Sequence, residues 1–466
     1  MRLAMSDAAA APAGRAASLA MLPRSLQHDI VARLPPDRRL LLACVCRSFR
    51  DAVNDGALWS VVDLSSTSGV ARCTDKLLRT IAAKARGTMR SLDVSGRFLW
   101  PWANCDRLLL HAVTSVAQAN QRSLQLLRLL LMPDPLDVME KGFPRGYSAR
   151  EVMSVFKKAP RTRSLKVDVC DTAAKLLPLF ARKKVVLRSV FAEFCEDGKV
   201  YNHASAEAAL RSLVTHLAVR QTRLMAFEMW SAPLESAALL DALIDAVLRL
   251  PALISFGMSS RTVAFGAIMP ALTRLVSGSA RLARLRISHF SASSPFPPPS
   301  PAFCAALQGA YTLTRLEVEE VDLFRDAFAG SALVDAITDH PSLRCMRLTS
   351  NRVAPLHRSI VGAALGRLVA ADAASLSELS VDYCNLGDAG LAPLFAALPD
   401  NHHLRALNVI FGREEVSVSP AFAARVLAAV RSNTSLRCFH PPAVYNVVHV
   451  RELEEAEALV KACGSA

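Results

Sequence analysis

Cysteine and histidine are the residue types of this chain with the most chemistry to offer, and both are scattered along its 466 residues. No two cysteines have C-x-x-C spacing, and the adjacent His402 and His403 would point apart on a helix or a strand, so no metal site is predicted. The chain also has no P-loop, G-x-G-x-x-G, G-x-S-x-G or H-E-x-x-H motif. The sequence therefore predicts a protein that is not an enzyme and that holds no cofactor and no metal.

Composition predicts a folded chain with a sizeable core, because 52% of the residues are hydrophobic and 21% are charged. Mean hydropathy is +0.26. Even so, every stretch of about 18 residues contains charges or strong breakers, so we expect no transmembrane helix and no membrane partner. Dispersed cysteines in a long chain favour a reduced protein, cytoplasmic and/or nuclear. The net charge of +14 permits a nucleic-acid or an acidic-protein partner and demonstrates neither.

Residues 20–64 hold the most informative short pattern. Leu26, Ile30 and Leu34 recur with helical spacing ahead of two prolines, and a second apolar helix is predicted from Leu40 through Phe49 to Val53. A unit this small cannot bury all of its large apolar side chains, so we expect it to present an apolar surface to a partner protein. The alternative is a helical cap that packs on the domain behind it.

This pattern resembles an F-box. The matching residues are Leu22-Pro23, Ile30, Leu34-Pro35, the run Val45-Cys46-Arg47-Ser48-Phe49-Arg50 and Leu58-Trp59, with Phe49 where the family often has Trp. The resemblance implies that a Skp-family adaptor binds here and connects the chain to a cullin ubiquitin ligase. The adaptor-binding residues that it implies are Leu22, Pro23, Ile30, Leu34, Val45, Arg47, Phe49, Leu58 and Trp59.

Behind this segment the string L-x-x-L-x-L recurs, with other apolar residues substituting. From Leu224 to Leu436 it begins again every 28 to 33 residues, and helix-period apolar stretches follow it. One short strand and one helix at a period near 30 residues resemble leucine-rich repeats of the ribonuclease-inhibitor type. The predicted fold class is α/β, a leucine-rich-repeat solenoid over residues 65–440 after a three-helix F-box. A disordered tail at 1–19 and a helical cap at 441–466 complete the predicted domains.

The repeat pattern also predicts structural roles for certain residues. In these repeats an Asn or Cys after the strand bonds backbone groups of the neighbouring turn, which would otherwise be buried without partners. Counting from each strand places Cys170, Cys195, Asn351 and Cys384 in this slot.

The concave side of the predicted sheet is the expected recognition surface for a protein substrate that the sequence does not identify. The central position of successive strands carries Phe191, Glu228, Gly257, Arg286, Glu317 and Arg347. Together with Trp230, an aromatic anchor of the kind that dominates interfaces, they predict a mixed polar and charged surface. The proposed substrate-binding residues are Phe191, Glu228, Trp230, Arg286, Glu317 and Arg347.

The two resemblances together imply a non-catalytic substrate receptor of a Skp–cullin–F-box ubiquitin ligase. The alternative is a scaffold that uses its repeats for binding without any ligase. Nucleic-acid binding is a third reading, unlikely because it rests on charge alone.

Three further patterns leave alternatives open. Residues 1–19 are Ala-rich with few acids, which fits a disordered tail or a mitochondrial presequence. Five cations between Lys157 and Lys166 fit a solvated helix end or a nuclear-localisation or nucleic-acid patch. The proline-rich run at 294–301 fits a stiff loop or a ligand for an aromatic-lined groove.

Lysine is absent between Lys199 and Lys461, although this span contains many arginines. Arginine keeps the positive charge without the amine to which ubiquitin is attached. Either a coding bias toward Arg and Ala or protection of a ligase subunit from self-modification would produce this distribution.

Overall fold

The computed structural model describes the chain in segments. The chain divides into two compact units, Met1–Ser164 and Leu165–Ala466. The described residues are 22–34, 36–64, 75–94, 110–129, 154, 157–158, 164–169, 189–194, 203–220, 223–230, 232, 234, 236–260, 263–290, 300–321, 323–324, 326–410, 418–441 and 451–464.

The first unit opens with helices and continues with alternating strands and helices. Its elements are α1 (Arg24–Arg33), α2 (Pro36–Leu42), α3 (Arg47–Val53), a 3-10 turn (Gly56–Trp59), β1 (Val61–Asp63), α4 (Asp75–Ala85), β2 (Ser91–Val94), α5 (Leu110–Ala119) and β3 (Leu126–Leu129). The strand β4 (Ser164–Val169) begins at the last residue of this unit.

The prediction of one helix from Leu40 to Val53 is wrong. The chain leaves α2 after Leu42 and begins α3 at Arg47, and Cys46 between them is extended, with φ −155° and ψ 168°. Val45 and Cys46 both have low helix propensity, which favours a break here. The side chain of Arg50 donates to the carbonyl of Ala43 at 3.3 Å and so satisfies a carbonyl that the break leaves without a helical partner.

In the first unit β1, β2 and β3 pair in parallel. Val62, Leu92 and Leu127 are in register and all three are buried. The repeat pattern predicts this arrangement, in which neighbouring parallel strands are one repeat apart and a helix connects them.

From Ser189 onward, the described part of the second unit alternates one strand and one helix. Its strands are β5 (Ser189–Phe194), β6 (Ala226–Trp230), β7 (Ser255–Ser259), β8 (Arg284–Ser288), β9 (Arg315–Glu319), β10 (Cys345–Arg347), β11 (Glu378–Ser380), β12 (Ala406–Asn408) and β13 (Cys438–His440). Its helices are α6 (His203–Arg220), α7 (Ala237–Leu248), α8 (Phe265–Gly278), α9 (Pro301–Gln308), α10 (Ala327–Ala336), α11 (Arg358–Ala370), α12 (Gly387–Ala397), α13 (Pro420–Ser432) and α14 (Arg451–Gly464), with 3-10 turns at Pro355–His357 and Leu398–Asp400.

The strand register confirms the leucine-rich-repeat fold. Strands β5 to β13 pair in parallel in sequence order, and the predicted central positions are aligned from Phe191 to His440. The first leucine of each string from Leu224 to Leu436 is buried. Apolar residues of the strands therefore pack toward the helices, and the alternate residues form a second side of the sheet, which we call the open face.

The predicted polar slot is confirmed where the structure describes it. Asn351 accepts from the backbone N–H groups of Val321 at 3.2 Å and Leu323 at 3.3 Å, and it donates to the carbonyl of Val318 at 2.7 Å. The thiol of Cys384 donates to the carbonyl of Leu348. Cys170 and Cys195 lie outside the described residues.

Most of residues 145–166 and 291–299 also lie outside the described part, together with the tail, so the three open alternatives stay as predicted. None of the helices described here is long and apolar enough to cross a membrane.

Candidate functional site

The predicted adaptor-binding residues divide into a buried group and an exposed group. Phe49, Leu58 and Trp59 are buried in the first unit, and Trp59 donates its Nε1–H to the carbonyl of Val53 at 2.8 Å. A side chain without accessible surface cannot contact a partner, so these three residues form the core of the domain. We therefore remove them from the proposed contact set.

Arg39 holds the same core together and was not identified from the sequence. Its guanidinium donates to the carbonyls of Leu34 at 2.8 Å, Ala32 at 2.9 Å and Leu58, and it lies 5.6 Å from the ring centroid of Trp59. Burial lowers the pKa of Arg39 below its ordinary value. One arginine thus joins α1 to the closing 3-10 turn, a role that only the folded arrangement reveals.

Three large apolar side chains of this helical segment are exposed. Val45 is 69% exposed, Leu41 59% and Leu26 48%. Pro23 and Arg47 are exposed as well, whereas Leu22, Ile30 and Leu34 are half-buried. Leu26 and Leu41 were absent from the predicted contact set, and the periodic face of α1 was the signal for Leu26. Exposed apolar side chains on so small a domain are candidate contacts for a partner protein.

The helical segment continues into the first repeat without a linker. Ser60 alone separates the 3-10 turn from β1, and its carbonyl accepts from the backbone N–H groups of Arg90 at 2.7 Å and Ser91 at 3.0 Å. The hydroxyl of Thr88 donates to the carbonyl of Gly56 at 2.8 Å. The helical segment and the first repeat therefore share one structure.

On the open face of the second unit, the structure brings several predicted substrate-binding residues together. Glu228, Arg286, Glu317 and Arg347 lie on β6, β8, β9 and β10 at the aligned positions of the strand register. Phe191 is in register with Glu228 through the backbone of β5, and its side chain lies outside the described part of the chain.

Glu317 is the exception within this set, because it is only 2% exposed. Its carboxylate is bonded by Arg284 at 2.9 Å and by Arg315, and Arg286 Nε lies 3.5 Å away. Burial by itself would raise the pKa of Glu317, but hydrogen bonds from Arg284 and Arg315 outweigh it and hold that pKa below its ordinary value. Glu317 therefore positions arginines and does not contact a partner, which corrects its predicted role.

Trp230 and Arg286 form a stacked pair at one side of this cluster. The guanidinium carbon of Arg286 lies 4.4 Å from the centroid of the Trp230 ring, and the ring of His289 lies 5.4 Å from it. Arg286 also donates to Glu319 at 2.8 Å. The indole and two carboxylates thus fix the direction of this guanidinium.

Arg347 is paired on the far side of Glu317. Its Nε donates to Glu378 at 2.9 Å, and its Nη2 contacts the same carboxylate. Burial would lower the pKa of Arg347, but the hydrogen bond to Glu378 outweighs it and raises that pKa. Arg284, Arg315, Glu319 and Glu378 were not singled out from the sequence. The aligned strand positions were the available signal.

Two parts of the chain are similar to known proteins. Residues 19–65 match the F-box-like family. No curated protein sequence matches the chain. Among solved structures, the leucine-rich repeat-containing protein LegL7 from Legionella pneumophila is similar at 12% identity and a TM-score of 0.44, over 73% of this chain and 97% of its own. The C-terminal domain of tropomodulin from Caenorhabditis elegans is similar at 14% identity and a TM-score of 0.20, over 48% of this chain and 92% of its own. Because both TM-scores are low, neither likeness supports the fold. The repeat fold is demonstrated by the strand register.

Proposed function

We propose that this chain, an F-box-like domain at residues 19–65 followed by leucine-rich repeats, is the substrate-recognition subunit of a Skp–cullin–F-box ubiquitin ligase. F-box domains generally bind Skp-family adaptors. The observation that carries the proposal is the exposure of Leu26, Leu41 and Val45 on a small domain whose sequence matches that family.

In this proposal the chain carries out no chemistry of its own. The F-box docks on the adaptor, the open face of the repeats holds the substrate protein, and the cullin brings the loaded conjugating enzyme. Holding two reactants in one assembly raises their effective concentration, and this positional effect accelerates ubiquitin transfer.

The test is capture of a purified Skp-family adaptor by the full-length chain. We expect Val45→Asp and Leu41→Asp to weaken adaptor binding about 30-fold or more, which corresponds to about 2 kcal/mol for a buried anchor. Leu356→Asp is the matched control, because Leu356 is 74% exposed but lies in the second unit. It should leave adaptor affinity unchanged, and all three variants should keep the wild-type melting temperature.

Trp59→Ala provides the contrast between core and surface. Because Trp59 is buried, this variant should lower the melting temperature of the first unit and lose the adaptor through unfolding. Failure of the wild-type chain to capture the adaptor would contradict the ligase proposal and leave the scaffold alternative. Capture that Val45→Asp and Leu41→Asp both leave unchanged would contradict the proposed contact surface.

A further inference from the structure

Four arginines lie side by side on three neighbouring strands of the open face. Arg284 of β8 is in register with Arg315 of β9, and Glu317 of β9 stands in register between Arg286 and Arg347. Neighbouring strands are about 4.8 Å apart, so the four side chains start within a width of about 10 Å. We call this group, Arg284, Arg286, Arg315 and Arg347, the four-arginine patch.

Three of the four arginines are more exposed than the carboxylates that balance them. The side chains of Arg284, Arg315 and Arg347 are 32% to 36% exposed and that of Arg286 is 24% exposed, whereas those of Glu317, Glu319 and Glu378 are 2%, 18% and 25% exposed. A partner that approaches the open face therefore meets more arginine than carboxylate surface.

Each arginine of the patch keeps hydrogen-bonding capacity for a ligand. Their bonds to Glu317, Glu319 and Glu378 use Nε or Nη2, and Nη1 of all four has no partner among the residues that the structure describes. A guanidinium has five N–H donors, and a carboxylate accepts two of them in parallel. Because the acids beneath already hold the guanidiniums in place, little side-chain entropy remains to be lost on binding.

We propose that the four-arginine patch binds an acidic peptide segment of the substrate protein, with Asp or Glu carboxylates bonded to the Nη1 groups. The proposal rests on the proposed function in one respect, since it takes the open face as the substrate-recognition surface. An extended segment suits the patch because its alternate side chains point to one side, with the same two-residue spacing that separates Arg284 from Arg286 along β8.

A nucleic acid fits the same patch less well. Glu228, Glu317, Glu319 and Glu378 border or underlie the four arginines, so the local charge is balanced and attraction is confined to direct contacts. Duplex DNA presents one charge per about 1.7 Å and is bound by extended surfaces that release many counterions. Short-range pairing with a few carboxylates matches a patch about 10 Å wide.

The experiment measures binding of a fluorescein-labelled peptide of twelve alternating Gly and Glu residues to the full-length protein by fluorescence anisotropy. The test variant is Arg284→Gln with Arg347→Gln. After these changes Glu317 keeps Arg315 and Arg286, and Glu378 is open enough to be hydrated. The matched control is Arg274→Gln with Arg367→Gln, which removes the same charge from arginines paired with Asp241, Asp245 and Asp335 on the helices.

We expect the test variant to lose about tenfold in affinity for the Glu peptide, and the control variant to lose less than about twofold. The same peptide with Gln in place of Glu should bind the wild type at least about tenfold more weakly. Arg284→Lys with Arg347→Lys keeps the charge without the paired donors and should fall between the wild type and the test variant. Melting temperatures show whether each variant is folded, and Arg347→Gln alone replaces the double variant if that one unfolds.

Equal losses of peptide affinity in the test and control variants would overturn the proposed role of the patch, because net charge alone would then explain binding. If a single-stranded oligonucleotide binds more tightly than the Glu peptide and loses affinity in the test variant, the ligand of the patch is a nucleic acid and the peptide proposal is wrong. Adaptor capture by the wild-type chain separates the two proposals. A wild type that captures the adaptor but does not bind the Glu peptide overturns only the patch. A wild type that binds the Glu peptide but does not capture the adaptor overturns only the ligase assignment.

Discussion

At the scale of single residues, buried polar side chains inside the repeats bond backbone groups, a role that the residue type alone does not predict. His340 lies buried at the turn before β10. Its Nε2–H donates to the carbonyl of Leu307 at 3.1 Å, and its Nδ1 accepts from the backbone N–H of Leu343 at 3.1 Å, a tautomer assigned from these partners. Asn401 performs the same task in a later repeat, accepting from Leu404 N–H and donating to the carbonyl of Val369. His340 therefore replaces an amide in a repeated structural position.

From this replacement we predict that the second unit loses stability in mild acid. Burial lowers the pKa of His340 below its ordinary value, although the carbonyls of Leu307 and Ala310 act in the opposite direction. A histidine whose pKa is lower in the folded state stabilises the fold fully above its unfolded pKa. That stability is lost as pH falls below about 6.5, at up to about 1.4 kcal/mol per pH unit. We expect His340→Asn to remove this loss between pH 7 and pH 5, measured as the free energy of unfolding in urea.

The control for this prediction is His440→Asn, since His440 is exposed at the end of β13. This variant should keep the pH dependence of the wild type. Parallel pH profiles for the wild type and His340→Asn would show that the buried imidazole contributes no linkage.

At the scale of elements, α11 and α12 approach each other through glycines. A Cβ at Gly362 would overlap the carbonyl of Gly390, and a Cβ at Gly366 would lie 2.8 Å from Cβ of Pro393. Because both contacts involve backbone or a rigid ring, neither neighbour has room to move. Gly362→Ala should therefore destabilise the second unit by about 3 kcal/mol, at the upper end of overpacking costs.

Gly309 provides the matched comparison, because a Cβ there would lie 3.5 Å from the carbonyl of Ala305, an ordinary contact. Gly309→Ala should change the free energy of unfolding by less than about 1 kcal/mol, and a less flexible unfolded chain favours stabilisation. Similar urea midpoints for the two alanine variants would contradict close helix packing at Gly362.

The strands were predictable because two periods coincide in the sequence. Alternation within L-x-x-L-x-L assigns the buried side of each strand, and the repeat length aligns one strand with the next. The burial of Glu317 was not predictable, since it depends on arginines that reach it from a neighbouring strand and from its own. The left-handed turns after the strands were equally hidden, because His289, Glu320, Ser350 and Tyr383 have φ between 50° and 59° without being glycines.

At the scale of the whole molecule, the F-box is continuous with the first repeat, so deleting it would change more than the F-box alone. Deleting the F-box removes Gly56 and Ser60, whose carbonyls accept from Thr88, Arg90 and Ser91. A deletion would therefore destabilise β2 and the turn before it as well as remove the proposed adaptor-binding surface. Val45→Asp is the better test of the proposed adaptor contact, because we expect the chain to stay folded.

The absence of lysine between Lys199 and Lys461 gives the last prediction, which rests on the proposed ligase function. If the chain is held beside a loaded conjugating enzyme, ubiquitin attached to the chain itself should map to lysines from Lys76 to Lys199 or to Lys461. Lys76 and Lys461 are exposed, whereas Lys84 is bonded to Asn54. Mass spectrometry of the modified chain measures these positions.

New lysines distinguish protection from coding bias. Arg274→Lys and Arg367→Lys keep the charge on the helix side of the repeats, where both arginines are accessible, and add two acceptor amines. If the lysine-free span protects the receptor, this variant should have a shorter cellular half-life than the wild type, and Val45→Asp should restore it by releasing the adaptor. An unchanged half-life would leave the bias toward arginine codons as a sufficient explanation. A shorter half-life that Val45→Asp fails to restore would assign the turnover to a different ligase.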